Sequence, residues 1–229
     1  MDQAESLTTL SFPVAWIDNI EVTSAPSLNY FNMGINTNDT TVALNDVPLS
    51  YSSPLENVSS ADSIEVPFCK GLENLGSVSH LQVAGQVDDC SLNLDNLGSV
   101  QDMNLSSIHS VRLGKQLAVG SSLSLSNCSC PGYLLNNALD ISTLDMGGIT
   151  TVGDSTKIAN NSDYILSFKD LTTISGHLSV TNNTNCHFNF KNLREATSIS
   201  MLDNIDSTLP QFTALELVGD IHLRGSIHS

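Results

Sequence analysis

Apolar and polar positions in this chain follow a fixed ruler. Between Phe168 and Leu223 three units open alike, as Phe168-Lys-Asp-Leu171, Phe190-Lys-Asn-Leu193 and Phe212-Thr-Ala-Leu215, and their phenylalanines stand 22 residues apart. A short apolar-polar alternation follows each opening: Leu178-Ser-Val180, Ile199-Ser-Met201 and Ile221-His-Leu223. Alternation marks a strand with one buried face. Runs this short cannot sustain an amphipathic helix. A repeat in the range of about 20–50 residues marks a solenoid. The predicted fold is therefore an all-β solenoid of roughly 22-residue coils. In it Leu171, Ile174, Leu178 and Val180 point inward and stack on Leu193, Ala196, Ile199 and Met201. One coil cannot bury these side chains alone. Its neighbours at ~4.8 Å must cover them, at roughly 1.5–3 kcal/mol per fully buried Leu or Ile.

The same ruler divides the chain. Leu72-Glu-Asn-Leu75-Gly-Ser-Val78 recurs 22 residues later as Leu94-Asp-Asn-Leu97-Gly-Ser-Val100, with strands Leu81-Gln-Val83 and Met103-Asn-Leu105 behind them. A further strand ends in Leu123-Ser-Leu125-Ser-Asn127. The predicted organisation has irregular N-terminal coils over 1–67, a first array over 68–127, and an irregular loop or break over 128–150. A second array follows over 151–229, cut short at its C-terminal end. Within 1–67, Ile17-Asp-Asn-Ile20-Glu-Val22 supplies one alternating strand. Residues 32–67, with Pro48, Pro54 and Pro67, predict poorly matched coils with long loops.

Asn127, Asn160, Asn182 and Asp203 each fall two positions after the last inward residue of a strand. Asn and Asp tolerate left-handed backbone and bond to nearby backbone groups, so these residues predict the bends, stacked as a polar ladder. Three of them also belong to Asn-x-Ser/Thr sequons, of which the chain has six: Asn38, Asn57, Asn104, Asn127, Asn160 and Asn182. A ladder asparagine that is buried cannot carry a glycan, so the two roles compete.

Composition narrows the function classes. Lys and Arg total 8 against 24 Asp and Glu, a formal charge of −16. Nucleic-acid binding needs clusters of Lys and Arg to displace counterions, and this balance argues against it. An anionic membrane surface is disfavoured for the same reason, and no run approaches the ~18 apolar residues of a membrane helix. The opening Met1-Asp-Gln-Ala-Glu-Ser has neither basic start nor apolar run, so it does not read as a signal peptide. The C-terminus lacks an anchor signal, and the last repeat stops six residues after Leu223. Together these features suggest a fragment or a chain lacking its ends.

Five cysteines, Cys69, Cys90, Cys128, Cys130 and Cys186, leave one without a partner inside the chain. Cys69 and Cys90 lie 21 apart, close to one coil, which favours a bridge between stacked layers. Cys186 then has Cys128 or Cys130 as candidate partners. A zinc site and free buried thiols are the alternatives, and Cys128-Ser-Cys130 alone is a weak metal motif. The histidines at 80, 109, 177, 187, 222 and 228 show no metal spacing, and His177 and His222 fall at polar strand positions. No nucleophile elbow or phosphate-binding glycine loop occurs. The pair Asp88-Asp89 is the one candidate for paired catalytic carboxylates, and solvated loop residues are the stronger reading. No residue merits a catalytic role and no cofactor is expected.

The unit Phe168-Lys-Asp-Leu171-Thr-Thr-Ile174-Ser-Gly176-His-Leu178-Ser-Val180-Thr-Asn182-Asn183 resembles the receptor L-domain repeat. More narrowly it is similar to the glycolipid-anchored fungal cell-wall-organisation and sporulation-specific proteins. Leu75-Gly-Ser-Val78, Leu97-Gly-Ser-Val100 and Leu215-Glu-Leu-Val218-Gly219-Asp-Ile221 fit as degenerate copies. The match is good over 168–223, fair over 72–127 and poor over 32–67 and 128–150. The resemblance implies a right-handed, leucine-rich-repeat-like β-helix outside the cell, N-glycosylated, at the wall or the outer face of the plasma membrane. It implies a structural or binding role in wall organisation or spore-wall assembly, without enzymatic activity. The implied partners are wall polysaccharide or a wall or membrane protein, with membrane contact only through a lipid anchor that this chain does not carry.

Two further readings compete. A leucine-rich-repeat recognition domain would use its strand face to bind protein. A polysaccharide-acting β-helix enzyme would need clustered acids and a saccharide groove. Only 5% of residues are aromatic, which argues against the latter; a wall-glycan binder would offer stacking aromatics, for which Tyr133 and Tyr164 are the candidates, although isolated tyrosines are more often packing residues.

Overall fold

The computed structural model describes residues 8–12, 18–23, 25–28, 30–33, 40–45, 55, 58–85, 90–129, 134–135, 138–139, 142–208 and 210–225. The described residues form strands and turns, with no helix among them. A twelve-stranded parallel sheet runs the length of the molecule. Its path passes from Asn19–Thr23 through Thr41–Asn45, Ser60–Val66, Ser77–Ala84 and Ser99–Ser106. It continues through two split levels to Thr173–Thr181, Glu195–Leu202 and Leu217–Arg224. Shorter parallel pairs close the opposite side, among them Ser91–Leu94 with Ser110–Leu113, and Ser142–Asp145 with Tyr164–Ser167 and His187–Asn189. The molecule is a β-solenoid, as the 22-residue ruler predicts.

Register explains the ruler. Ile20 pairs with Val42, Val42 with Ile64, Leu81 with Met103, and Met103 with Leu123. Further on, Thr156 pairs with Leu178, Leu178 with Ile199 and Ile199 with Ile221. Each partner sits on the inner face, so one inner column runs the length of the sheet, buried from Ile20 through Ile199. The predicted inward residues are in place. Leu171, Leu178, Val180, Leu193 and Ile199 are all fully buried. Phenylalanine forms a second column. Phe168 stacks on Phe190 with centroids 4.9 Å apart, and Phe190 on Phe212 at 6.0 Å.

Register adds detail in two of the predicted irregular regions. The N-terminal strands Asn19–Thr23, Thr41–Asn45 and Ser60–Val66 keep the 22-residue step, despite their Pro- and Asn-rich connections. The short step comes later, where Ile64 pairs with Leu81. In the irregular region, Leu123 pairs with Thr156 and Leu125 with Ile158, so the sheet continues straight across it. Between these strands Leu134–Leu135 pairs antiparallel with Ala138–Leu139. At the split level after it, a Cβ on Gly153 would collide with the Gly120 carbonyl oxygen, so only glycine lets these two coils approach.

Candidate functional site

One corner of the solenoid carries three of the six sequon asparagines, Asn127, Asn160 and Asn182. It follows the strands ending at Ser106, Ser126, Ala159, Thr181 and Leu202. Ser107, Asn127, Asn160, Asn182 and Asp203 turn the chain there, with φ between 53° and 57°. The left-handed conformation is the predicted one, and it suits Asn and Asp, whose short side chains bond locally. The position of the ladder differs from expectation. The side chains of Asn127, Asn160 and Asn182 are exposed. The buried ladder lies one residue on, at Asn161, Asn183 and Asn204.

Its geometry accounts for the repeat. The Asn161 backbone N–H donates to Asn183 Oδ1 at 3.0 Å, and the Asn183 N–H to Asn204 Oδ1 at 3.1 Å. The side-chain amides repeat this step, with Asn161 Nδ2 on Asn183 Oδ1 and Asn183 Nδ2 on Asn204 Oδ1, both at 2.9 Å. Asn183 Nδ2 also donates to the carbonyls of Ile158 and Thr181, and Asn204 Nδ2 to that of Val180. The Cys128 N–H begins the series by donating to Asn161 Oδ1. A second left-handed column, Asp163, Asn185 and Asp206, closes the same corner three residues further on. The doublets Asn160-Asn161, Asn182-Asn183 and Asp203-Asn204 are the sequence signal of this ladder. Bend and ladder occupy adjacent residues, so the sequon asparagines remain open to solvent and the competition between roles disappears at Asn127, Asn160 and Asn182. Asn104 is exposed in mid-strand. Asn38 and Asn57 lie outside the described residues.

The cysteines divide in two. Cys69 and Cys90 form the predicted bridge between neighbouring coils, with Cα atoms 5.4 Å apart. Cys128 and Cys186 are buried free thiols, not partners of each other. The reason is register. Cys128 stands in the ladder column before Asn161, whereas Cys186 lies in another column, its N–H donating to Ser207 Oγ. Burial pushes the Cys128 thiol up to about 11 and raises that of Cys186. Cys130, Tyr133, Asp88, Asp89 and His228 lie outside the described residues. Tyr164 is buried and donates its hydroxyl to the His109 carbonyl at 2.9 Å, which makes it a packing residue. His177 and His222 are exposed on strands, as predicted. Among the described residues no three of His, Cys, Asp and Glu gather as metal ligands.

The sequence gives less warning of a cleft of about 940 Å³ on a different corner. It is lined by Arg112, Lys115, Asp145, Lys169, Asp170 and Arg194, and so holds four of the chain's 8 cations. The turns Lys115-Gln116 and Lys169-Asp170 flank Gly147-Gly148, whose missing side chains open the notch between them. Glycine is required there. A Cβ on Gly148 would collide with the Gly114 carbonyl. The charges are largely matched within the chain. Arg112 Nε lies 2.7 Å from Asp95, Lys169 Nζ 3.1 Å from Asp145, and Arg194 Nε 3.6 Å from Glu216. Such a surface offers alternating donors and acceptors to a hydroxyl-rich ligand rather than a net positive field. Lys169, behind the opening Phe168, is the sequence trace of this corner.

No family model, curated protein or solved structure matches this chain.

Proposed function

We propose that this chain is a non-enzymatic extracellular module of the fungal cell-wall type, serving wall organisation or spore-wall assembly. The observation that carries the reading is a coincidence of two features. A disulfide joins adjacent coils, and three sequon asparagines stand exposed in one column. Structural disulfides belong to oxidising compartments, and sequons act as acceptors on secreted surfaces. A solenoid whose cleft is lined by paired charges suits a hydroxyl-rich wall polysaccharide as its partner.

Secretion of the chain behind an added signal peptide tests this. Mass is compared before and after enzymatic removal of N-glycans, and thiols are labelled with and without denaturant. The reading expects glycan mass on Asn127, Asn160 or Asn182. It also expects no label on Cys69 or Cys90 even when unfolded, and label on Cys128 and Cys186 only when unfolded. An unglycosylated chain with five reactive thiols would replace it with an intracellular repeat scaffold.

A further inference from the structure

The cleft between Lys115 and Lys169 is neutral in a strongly acidic chain. Its four cations, Arg112, Lys115, Lys169 and Arg194, are matched by Asp95, Asp145, Asp170 and Glu216, so the whole formal charge of −16 lies elsewhere. Its floor is one ion pair. Lys169 Nζ lies 3.1 Å from Asp145 Oδ2, and both side chains are 47% exposed. Gly147 makes room for this pair, because a Cβ there would collide with Lys169 Cε and Asp145 Oδ1. The Gly147 N–H donates to Asp145 Oδ1 at 2.9 Å, which orients the carboxylate. The pair keeps capacity to spare. An ammonium has three donors and a carboxylate about four acceptor sites. Among the described residues Lys169 uses one donor and Asp145 accepts two bonds. Thr150 and Thr172, by contrast, donate their hydroxyls to the Leu117 and Thr150 carbonyls. Lys115 and Asp170 stand at the walls with no partner among the described residues.

We propose that this cleft binds a neutral glycan through a vicinal diol held by Asp145 and Lys169. The proposal rests on the reading of a wall polysaccharide as partner and narrows it. A spare donor beside a spare acceptor is the complement of two adjacent ring hydroxyls. One hydroxyl oxygen accepts from Lys169 Nζ while the other hydroxyl donates to Asp145, and both bonds are charge-assisted. Lys115 and Asp170 add a further donor and acceptor at the walls. Linkage therefore matters. A 1,6-linked glucan leaves adjacent hydroxyls free on every ring, whereas a 1,3-linked glucan keeps a vicinal diol only at its ends. Charge matters as well. A polyanionic glycan must enter the field of an acidic chain and finds Lys169 already neutralised by Asp145. A neutral glycan meets no such barrier.

The test is calorimetric titration of the full chain, disulfide intact, at low salt with three hexasaccharides. The β-1,6-linked glucose hexamer carries diols on every ring, and the β-1,3-linked one only at its ends. The α-1,4-linked galacturonate hexamer carries a diol and a carboxylate on each ring. The first should bind, the second should bind about tenfold more weakly, and the third should not bind. Lys169→Met keeps the stem over Gly147 without the donor and should weaken the first about tenfold. Asp145→Asn frees the Lys169 ammonium. It should lose the neutral ligand by a similar factor and gain the galacturonate, a gain that added salt removes. An unfolded variant cannot exchange one ligand for another, so this switch reports the pair itself. Galacturonate binding in place of glucan by the unaltered chain would overturn the proposal and leave a polysaccharide partner standing. So would equal binding of the two glucans, or glucan binding untouched by both variants. Binding of none of the three would remove the proposal and the polysaccharide partner together.

Discussion

The first array, from Ser60 to Ser126, and the second, from Thr156 to Arg224, answer the same corner differently. At the position after the left-handed residue the column runs Ile108, Cys128, Asn161, Asn183, Asn204, all buried. It is apolar in the first array and asparagine in the second. The longer corner of the second array adds a second left-handed residue, as at Asp163 and Asn185, and turns backbone N–H groups inward. Asparagine satisfies them. The first array has a shorter corner and no such ladder among its described residues. It instead ties neighbouring coils covalently through Cys69 and Cys90. One half therefore holds its coils with a hydrogen-bonded wire and the other with a staple.

The largest perturbation should come from the phenylalanine column. Phe190 is fully buried between Phe168 and Phe212, and Phe190→Ala should cost about 4 kcal/mol in chemical denaturation. Hydrogen exchange should place the loss in the second array. A uniform loss over both arrays would erase the distinction drawn here.

Asn183→Ala should follow at about 3 kcal/mol. It leaves the Asn161 N–H and Nδ2 without their acceptor and the Ile158 carbonyl without its donor. The ladder has a direction, since each backbone N–H looks to the next coil. Asn204→Ala should therefore expose the amides of Asn183, while Asn161→Ala leaves Asn183 with its own acceptor. Equal effects of the two on Asn183 exchange would show that the wire has no direction.

Cys69→Ser, or reduction, should cost about 3 kcal/mol, the loop entropy of a bridge spanning 21 residues. The loss belongs to the first array, and exchange in the Asn ladder should not change. High pH acts on the other thiols. The Cys128 pKa is raised by burial to about 11 from the ordinary value of 9.0. Its contribution to stability is thus complete below pH 9 and is lost as pH rises through about 11. A Cys128→Ala chain that softens over the same interval would remove the thiol as the cause.

The smallest effect lies at the junction. Thr156 occupies the inner column between Leu123 and Leu178, and its buried hydroxyl has no partner. Thr156→Val should raise stability by about 1 kcal/mol, read as a shift in the denaturation midpoint at constant slope.

Much of the fold was legible because a solenoid repeats its physics along the chain. Leu171, Leu193 and Leu215 declare one column, and a strand face buried at every level leaves a period-two trace. The corners were half legible. Asn127, Asn160 and Asn182 announce left-handed turns, but hydrophobic periodicity is silent on polar burial, so it does not show that the ladder uses the second member of each doublet, Asn161, Asn183 and Asn204. The step from Ile64 to Leu81 and the cleft at Gly147-Gly148 left little signal. Both depend on which coil lies next to which, and that is known only once register is fixed. Cys128 and Cys186 left pairing and free burial both open for a related reason, since a count of thiols carries no information on the columns they occupy.

The staple has a mechanical consequence. A solenoid pulled from its two ends peels coil by coil, each coil releasing its residues as extended chain. The bond between Cys69 and Cys90 removes the loop between them from that process. At about 3.3–3.6 Å per residue, a loop of 21 residues withholds roughly 70 Å of contour length from the stretched chain. Under load this region acts as an inextensible link, while the coils from Thr156 onward are free to pay out.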